Sequence, residues 1–162
     1  MKQRIYKVIK AYRMARVSKL LDPAARSLLD IGCQDLTLYR RIKDRYAVTL
    51  ADIDPKDPVI VKGDVQRLSF KNKSFDIVVC QEVLEHVPDP VKAMVELKRV
   101  AAKQLVITVP YEPFFSLWRF LTWEKEHLWA VTPAALRVQL GKPAYETTLF
   151  LKRYYLGIWK FG

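Results

Sequence analysis

Two stretches of this chain carry side chains whose types and spacing can do chemistry. In Glu82-Val83-Leu84-Glu85-His86, two carboxylates and an imidazole stand at positions i, i+3 and i+4. On a helix these positions share a face, so the three groups can converge on one divalent cation, with His127 as a distant fourth ligand. Without a metal, His86 is the best candidate general base for a hydroxyl nucleophile, with Glu85 beside it. The plainer reading is a histidine that only caps or packs, and no metal is expected. The second stretch is Leu29-Asp30-Ile31-Gly32-Cys33-Gln34-Asp35, followed by Ala51-Asp52-Ile53-Asp54. A glycine at a strand-to-helix turn lets backbone approach a ligand closely. An acid about 20 residues further on can accept hydrogen bonds from both hydroxyls of a ribose. G-x-G-x-x-G is absent after Asp30, which disfavours a dinucleotide dehydrogenase.

These residues need a scaffold that gathers strand ends. Short runs rich in Val, Ile and Leu occur at 28–31, 47–51, 59–61, 77–80 and 105–109, each bounded by polar residues, as buried parallel strands require. Helical patterns lie between them at 36–43, around 83–86, and at 90–102. A further short helix spans Pro133 to Leu140, with Thr132 as N-cap, proline at its first position and Gly141 as its stop. Residues 145–151 and 154–161 alternate as a closing antiparallel pair. Ahead of all this, residues 2–20 contain neither Gly nor Pro and read as a helix, with Ile5, Val8, Ile9 and Tyr12 as a short apolar strip. The βαβ alternation predicts an open, mostly parallel α/β sheet with ligands at the carboxyl ends of its strands.

The 162 residues suit one domain, and half of them are hydrophobic, as in an ordinary globular protein. The longest run without Asp, Glu, Lys or Arg is His127–Leu136, far short of the ~18 apolar residues of a membrane span. Residues 1–20 alternate cations with apolar groups and contain no secretory apolar core. The two cysteines, Cys33 and Cys80, have no metal-ligand spacing, so the expected location is cytoplasmic. Net charge is +11, of which residues 1–27 contribute +7, residues 117–162 contribute +4, and the middle is neutral. Basic ends of this kind permit peripheral contact with an anionic membrane or nucleic acid, or are simply solvated.

The set LLDIGC, TLADIDP, GDVQRLSF, SFDIVVCQEVLEHVPDP and QLVITVPYEP, in this order and spacing, resembles the class I S-adenosylmethionine-dependent methyltransferases over residues 27–140. Within that class it resembles small-molecule enzymes of the ubiquinone-biosynthesis O-methyltransferase kind. The resemblance implies a Rossmann-like α/β fold with a seven-stranded sheet, its first five strands parallel, a terminal antiparallel hairpin, and helices on both faces. It implies S-adenosylmethionine as cofactor, with Asp30 and Gly32 near its methionine part, Gln81 closing that side and Cys33 among the cofactor-binding residues. Asp52 would bind the ribose, Ile53 would pack on adenine, and Asp64 and Val65 would flank the adenine edge. Asp76 would support the turn into the fourth strand. Cys33 and Cys80 would end neighbouring strands beside the cleft.

On this reading residues 1–162 form one methyltransferase-like domain, with a basic N-terminal helix in 1–26, a cofactor-binding core in 27–109, and an aromatic substrate segment and closing hairpin in 110–162. The expected reaction is methyl transfer to oxygen of a small, hydrophobic or lipid-linked acceptor. The glycine loop departs from the family's G-x-G-x-G at Gln34 and Leu36, and Ala102-Lys103-Gln104 replaces the usual Pro-Gly-Gly before the fifth strand. A Cβ at Gln34 would either clash or adopt positive φ. Two alternatives are an RNA methyltransferase that grips phosphate with its basic ends, and a non-catalytic methyltransferase-like binding module.

Overall fold

The computed structural model describes residues 2–111 and 127–162. Seven strands form one sheet in the order β3-β2-β1-β4-β5-β7-β6. They are β1 (Ser27–Ile31), β2 (Ala47–Asp52), β3 (Val61–Lys62), β4 (Phe75–Gln81), β5 (Ala101–Pro110), β6 (Tyr145–Leu149) and β7 (Tyr154–Lys160). β1 to β5 are mutually parallel, and β7 runs antiparallel to both β5 and β6. Strand order reverses between β1 and β4, and register aligns the ends there. Ile31 stands opposite both Ala51 and Cys80. Gly32 therefore follows between Asp52 and Gln81, the next residues of the flanking strands.

β4 shows why the central strands read as unbroken apolar runs. Ile77 and Val79 face one side, Val78 and Cys80 the other, and both sides are covered. Helices α1 (Lys2–Leu20) and α2 (Tyr39–Ile42) cover the first face. Helices α3 (Pro90–Val100) and α4 (Pro133–Leu140) cover the second. Their ends follow sequence signals: Asp89 accepts from the Lys92 amide, Thr132 Oγ1 accepts from the Ala135 amide, and Gly141 follows α4 at φ 87°.

Two polar side chains lock the elements together. Asp76 accepts from the Arg26 and Ser27 amides, its own amide donates to Ser27 Oγ, and Lys103 pairs with it at 2.9 Å. This is the structural role expected of Asp76, and it holds its carboxyl below the usual range. Gln104 accepts from the Asp22 amide and donates to the Leu20 carbonyl, which ties the end of α1 to β5. No turn separates α3 from β5: Ala101 ends the helix and begins the strand, so Pro-Gly-Gly has nothing to do here.

Several local expectations are corrected. Residues around 83–86 form turns, because Glu82 leaves β4 at φ 53° and the chain folds back before Asp89. β3 is a short exposed strand at Val61–Lys62, and Ile60, rather than Val59, turns inward. Within α1, Val8 and Tyr12 are exposed while Ile9, Met14 and Val17, with Leu21 just beyond the helix, pack on the sheet. The Ile5 side chain and the aromatic stretch beyond Tyr111 lie outside the described residues. β6 ends at Leu149, and Phe150, Leu151 and Lys152 all take positive φ in the turn to β7.

Candidate functional site

A cleft of about 1280 Å³ opens at the carboxyl ends of β1, β2 and β4, where the strand order reverses. Gly32 sits at its centre with φ 79°, and a Cβ built there would stand 2.1 Å from Val83 Cγ2. Both the backbone and the neighbouring valine therefore require glycine. Gln34 adopts φ 25°, and its amide donates to Asp52 Oδ2 at 3.1 Å. The loop keeps its course without a second glycine, at a backbone cost of order 1–2 kcal/mol. The second carboxylate oxygen of Asp52 accepts from the Asp54 amide at 2.9 Å, so the side chain is aimed before any ligand arrives.

The other expected cofactor residues line the same cleft: Asp30, Cys33, Ile53, Asp64, Val65 and Gln81. Asp30 is buried, and burial, reinforced by the negative charge of Asp35, pushes its carboxyl up to about 7, with Lys10 opposing. Cys33 donates to the Ala51 carbonyl at 3.6 Å, and burial followed by the Asp30 charge pushes its thiol up to about 12. A thiol held so firmly protonated is a packing group, not a nucleophile. Ile53 is an exposed aliphatic surface at the mouth, a suitable face for a flat base. Asp64 turns its Oδ1 back to the Gln66 amide at 2.8 Å, which shapes the loop after β3. Cys80 is corrected: it packs in the core beneath the cleft and does not line it.

Sequence reasoning missed the contribution of α1. Lys10, Arg13 and Met14 also line the cleft. Lys10 pairs with Asp35 at 2.8 Å, and Met14 Sδ accepts from Gln81 Nε2 at 3.2 Å. Arg13 is only 4 % exposed, lies 4.8 Å from the Tyr154 ring centroid, and pairs with Glu82 at 3.3 Å. The cation at every third residue of α1 disguised Lys10 and Arg13 as ordinary surface charge. Gln81 Oε1 and Arg13 Nε are buried with no hydrogen-bond partner among the described residues. An unused acceptor and an unused donor in one cleft match the ammonium and carboxylate of an amino-acid moiety.

The acid–imidazole group is assembled differently from the helical expectation. Glu82 turns away to Arg13 and accepts from Thr108 Oγ1 at 2.9 Å, and burial raises its carboxyl against those two contacts. His127 takes its place. The ligand atoms of Glu85, His86 and His127 lie within 4.8 Å of one another. The two rings meet edge to face at 4.8 Å, and His86 Nε2 is 3.9 Å from Glu85 Oε1. The Glu85 carbonyl accepts from the Leu128 and Trp129 amides, which brings His127 home across the cleft. This donor set suits a divalent cation, and it also suits an imidazole base oriented by a carboxylate.

Residues 29–107 match the family described as "Methyltransferase domain". The chain is 30% identical to a ubiquinone biosynthesis O-methyltransferase of Xanthomonas axonopodis pv. citri over 120 residues, 62% of this chain and 50% of that protein. It thus spans about half the length of the curated relatives it matches. Its fold is that of the magnesium protoporphyrin IX methyltransferase of Synechocystis PCC 6803 solved with bound SAM, at TM-score 0.76 and 17% identity over 99% of this chain and 83% of that one. A SAM-dependent methyltransferase of Archaeoglobus fulgidus superposes at TM-score 0.72 with 18% identity, covering 93% and 92%. The chain carries a class I S-adenosylmethionine-dependent methyltransferase domain, distantly related to the ubiquinone biosynthesis O-methyltransferases. S-adenosylmethionine is the cofactor of that domain class, and among the described residues no helix is long and apolar enough to cross a membrane.

Proposed function

We propose that the protein transfers a methyl group from S-adenosylmethionine to a hydroxyl oxygen of a small, hydrophobic or lipid-linked acceptor. The observation that carries this reading is that one cleft joins the cofactor residues at the ends of β1, β2 and β4 to the Glu85–His86–His127 group. Asp52 would hold the ribose, Ile53 and Val65 the adenine, and Gln81 with Arg13 the amino-acid end. When bound, the cofactor supplies an electrophilic methyl on a sulfonium. The chain's part is to align an acceptor oxygen with that methyl, which accounts for much of the rate when the nucleophile is good. His86 would take the hydroxyl proton, with Glu85 fixing the ring and stabilising the imidazolium.

The cleft is also lined by Val87, Pro88, Tyr111, Phe150 and Tyr154, apolar and aromatic groups that suit a hydrophobic acceptor, with Lys152 and Arg153 among them. The likeness to a protein named for O-methylation supports the same choice. The test is transfer of isotopically labelled methyl from S-adenosylmethionine to catechols with alkyl tails of increasing length. Transfer that improves with tail length, and falls about a hundredfold or more in His86→Ala, is expected. Labelling of RNA instead of any phenolic acceptor would overturn the reading.

A further inference from the structure

The β6–β7 turn presents an apolar tip that no packing among the described residues explains. Leu151 is 97 % exposed, next to the partly exposed Phe150, and the turn carries three consecutive positive-φ residues that are not glycine. The tip does not stand alone. Phe150 meets the ring of Tyr12 edge to face at 6.4 Å, and Val8, one turn earlier on the same side of α1, is 62 % exposed. The outer face of α1 and the turn thus form one apolar ridge. Exposed Lys19, two turns after Tyr12 on the same side of α1, and Lys152 in the turn stand along it, and residues 2–20 contain no acid. The ridge ends at the cleft, because Phe150 and Leu151 also line its mouth.

We infer that this ridge is a docking surface for an anionic phospholipid bilayer, set so that the mouth of the cleft meets the lipid. An amphipathic ridge with cations beside aliphatic and aromatic groups suits the boundary between headgroups and acyl chains. Nucleic acid would gain from the lysines and the rings but not from aliphatic Leu151 and Val8. A second copy of the chain would bring two cationic faces together and repel. The surface rests on the proposed lipid-linked acceptor for its purpose, since it would let such a molecule pass from bilayer to cleft without crossing water.

The test is flotation of the whole protein with phosphatidylcholine vesicles, with and without phosphatidylglycerol. Binding is expected to the anionic vesicles and to fall as salt rises. Val8→Asp and Leu151→Asp should each weaken it about tenfold, and Lys19→Glu about fivefold on anionic vesicles alone. Calorimetric binding of S-adenosylhomocysteine, unchanged in Val8→Asp and Lys19→Glu, shows that these variants are folded. Binding that none of the three variants weakens overturns the inference, as does a concentration-dependent dimer that Val8→Asp dissolves. Wild-type protein that binds S-adenosylhomocysteine but no vesicle sinks the docking surface alone. Protein that binds vesicles but no S-adenosylhomocysteine sinks the enzymatic reading and leaves the surface standing.

Discussion

At the scale of single residues, Gly32 and Asp30 give the sharpest expectations. Gly32→Ala meets two separate penalties, a left-handed backbone of order 1–2 kcal/mol and the Val83 methyl. The variant should bind S-adenosylhomocysteine at least tenfold more weakly, and adding Val83→Ala should recover only the part due to the clash. Full recovery in the double variant would show that φ does not matter there. Asp30 carries a sign. Its carboxyl is raised from 3.8 to about 7 by burial, with Asp35 adding to it. Between those values the folded protein holds a proton that the unfolded chain has released. The stabilisation is complete below about pH 4 and is lost as pH rises through about 7. Denaturant unfolding across this range should show stability declining in the wild type and a flatter profile in Asp30→Asn.

At the scale of elements, α1 is both a cover for the sheet and a wall of the cleft, and these roles can be separated. Leu21, just beyond its last turn, is buried, and Leu21→Ala should cost about 2–5 kcal/mol by opening a cavity. Leu97→Ala in α3, on the opposite face, should cost about the same. Only the first should also weaken S-adenosylhomocysteine binding in the remaining folded protein, because α1 alone brings Lys10, Arg13 and Met14 to the cleft. Equal losses of affinity would mean that α1 does not position the cofactor site. The same element shows where sequence was legible. The apolar runs of β1, β4 and β5 are buried on both faces, so their pattern could be read directly, and with it the strand-end positions of Asp30, Gly32 and Gln81. α1 is different: charges circle it, and which face turns inward is decided by Gln104 and the sheet, far away in sequence. The Glu82–Glu85–His86 spacing misled for a related reason. It assumes a helix, whereas Glu82 at φ 53° sends its side chain to Thr108 and Arg13 and leaves its place to His127.

At the scale of the whole molecule, the question is whether the cleft is ready for its cofactor, and global stability answers it. β1, β2, β4 and α1 all contribute to the cleft, so a ligand bound there ties α1 to three strands of the sheet at once. S-adenosylhomocysteine at a hundredfold excess over its Kd should stabilise the fold by about 2.7 kcal/mol, or roughly 5–10 °C in melting temperature. Gln34 decides the size of the effect. Its amide already donates to Asp52, so wild type and Gln34→Gly should give shifts within about 2 °C of each other once each is saturated to the same degree. A shift seen only in Gln34→Gly would mean that the side chain closes the loop against the ligand, and the domain would then be a binding module that has lost its cofactor. A shift in both makes the departure from G-x-G-x-G a tolerated exchange of one turn residue for another, supported by the Asp52 carboxylate that is proposed to hold the ribose.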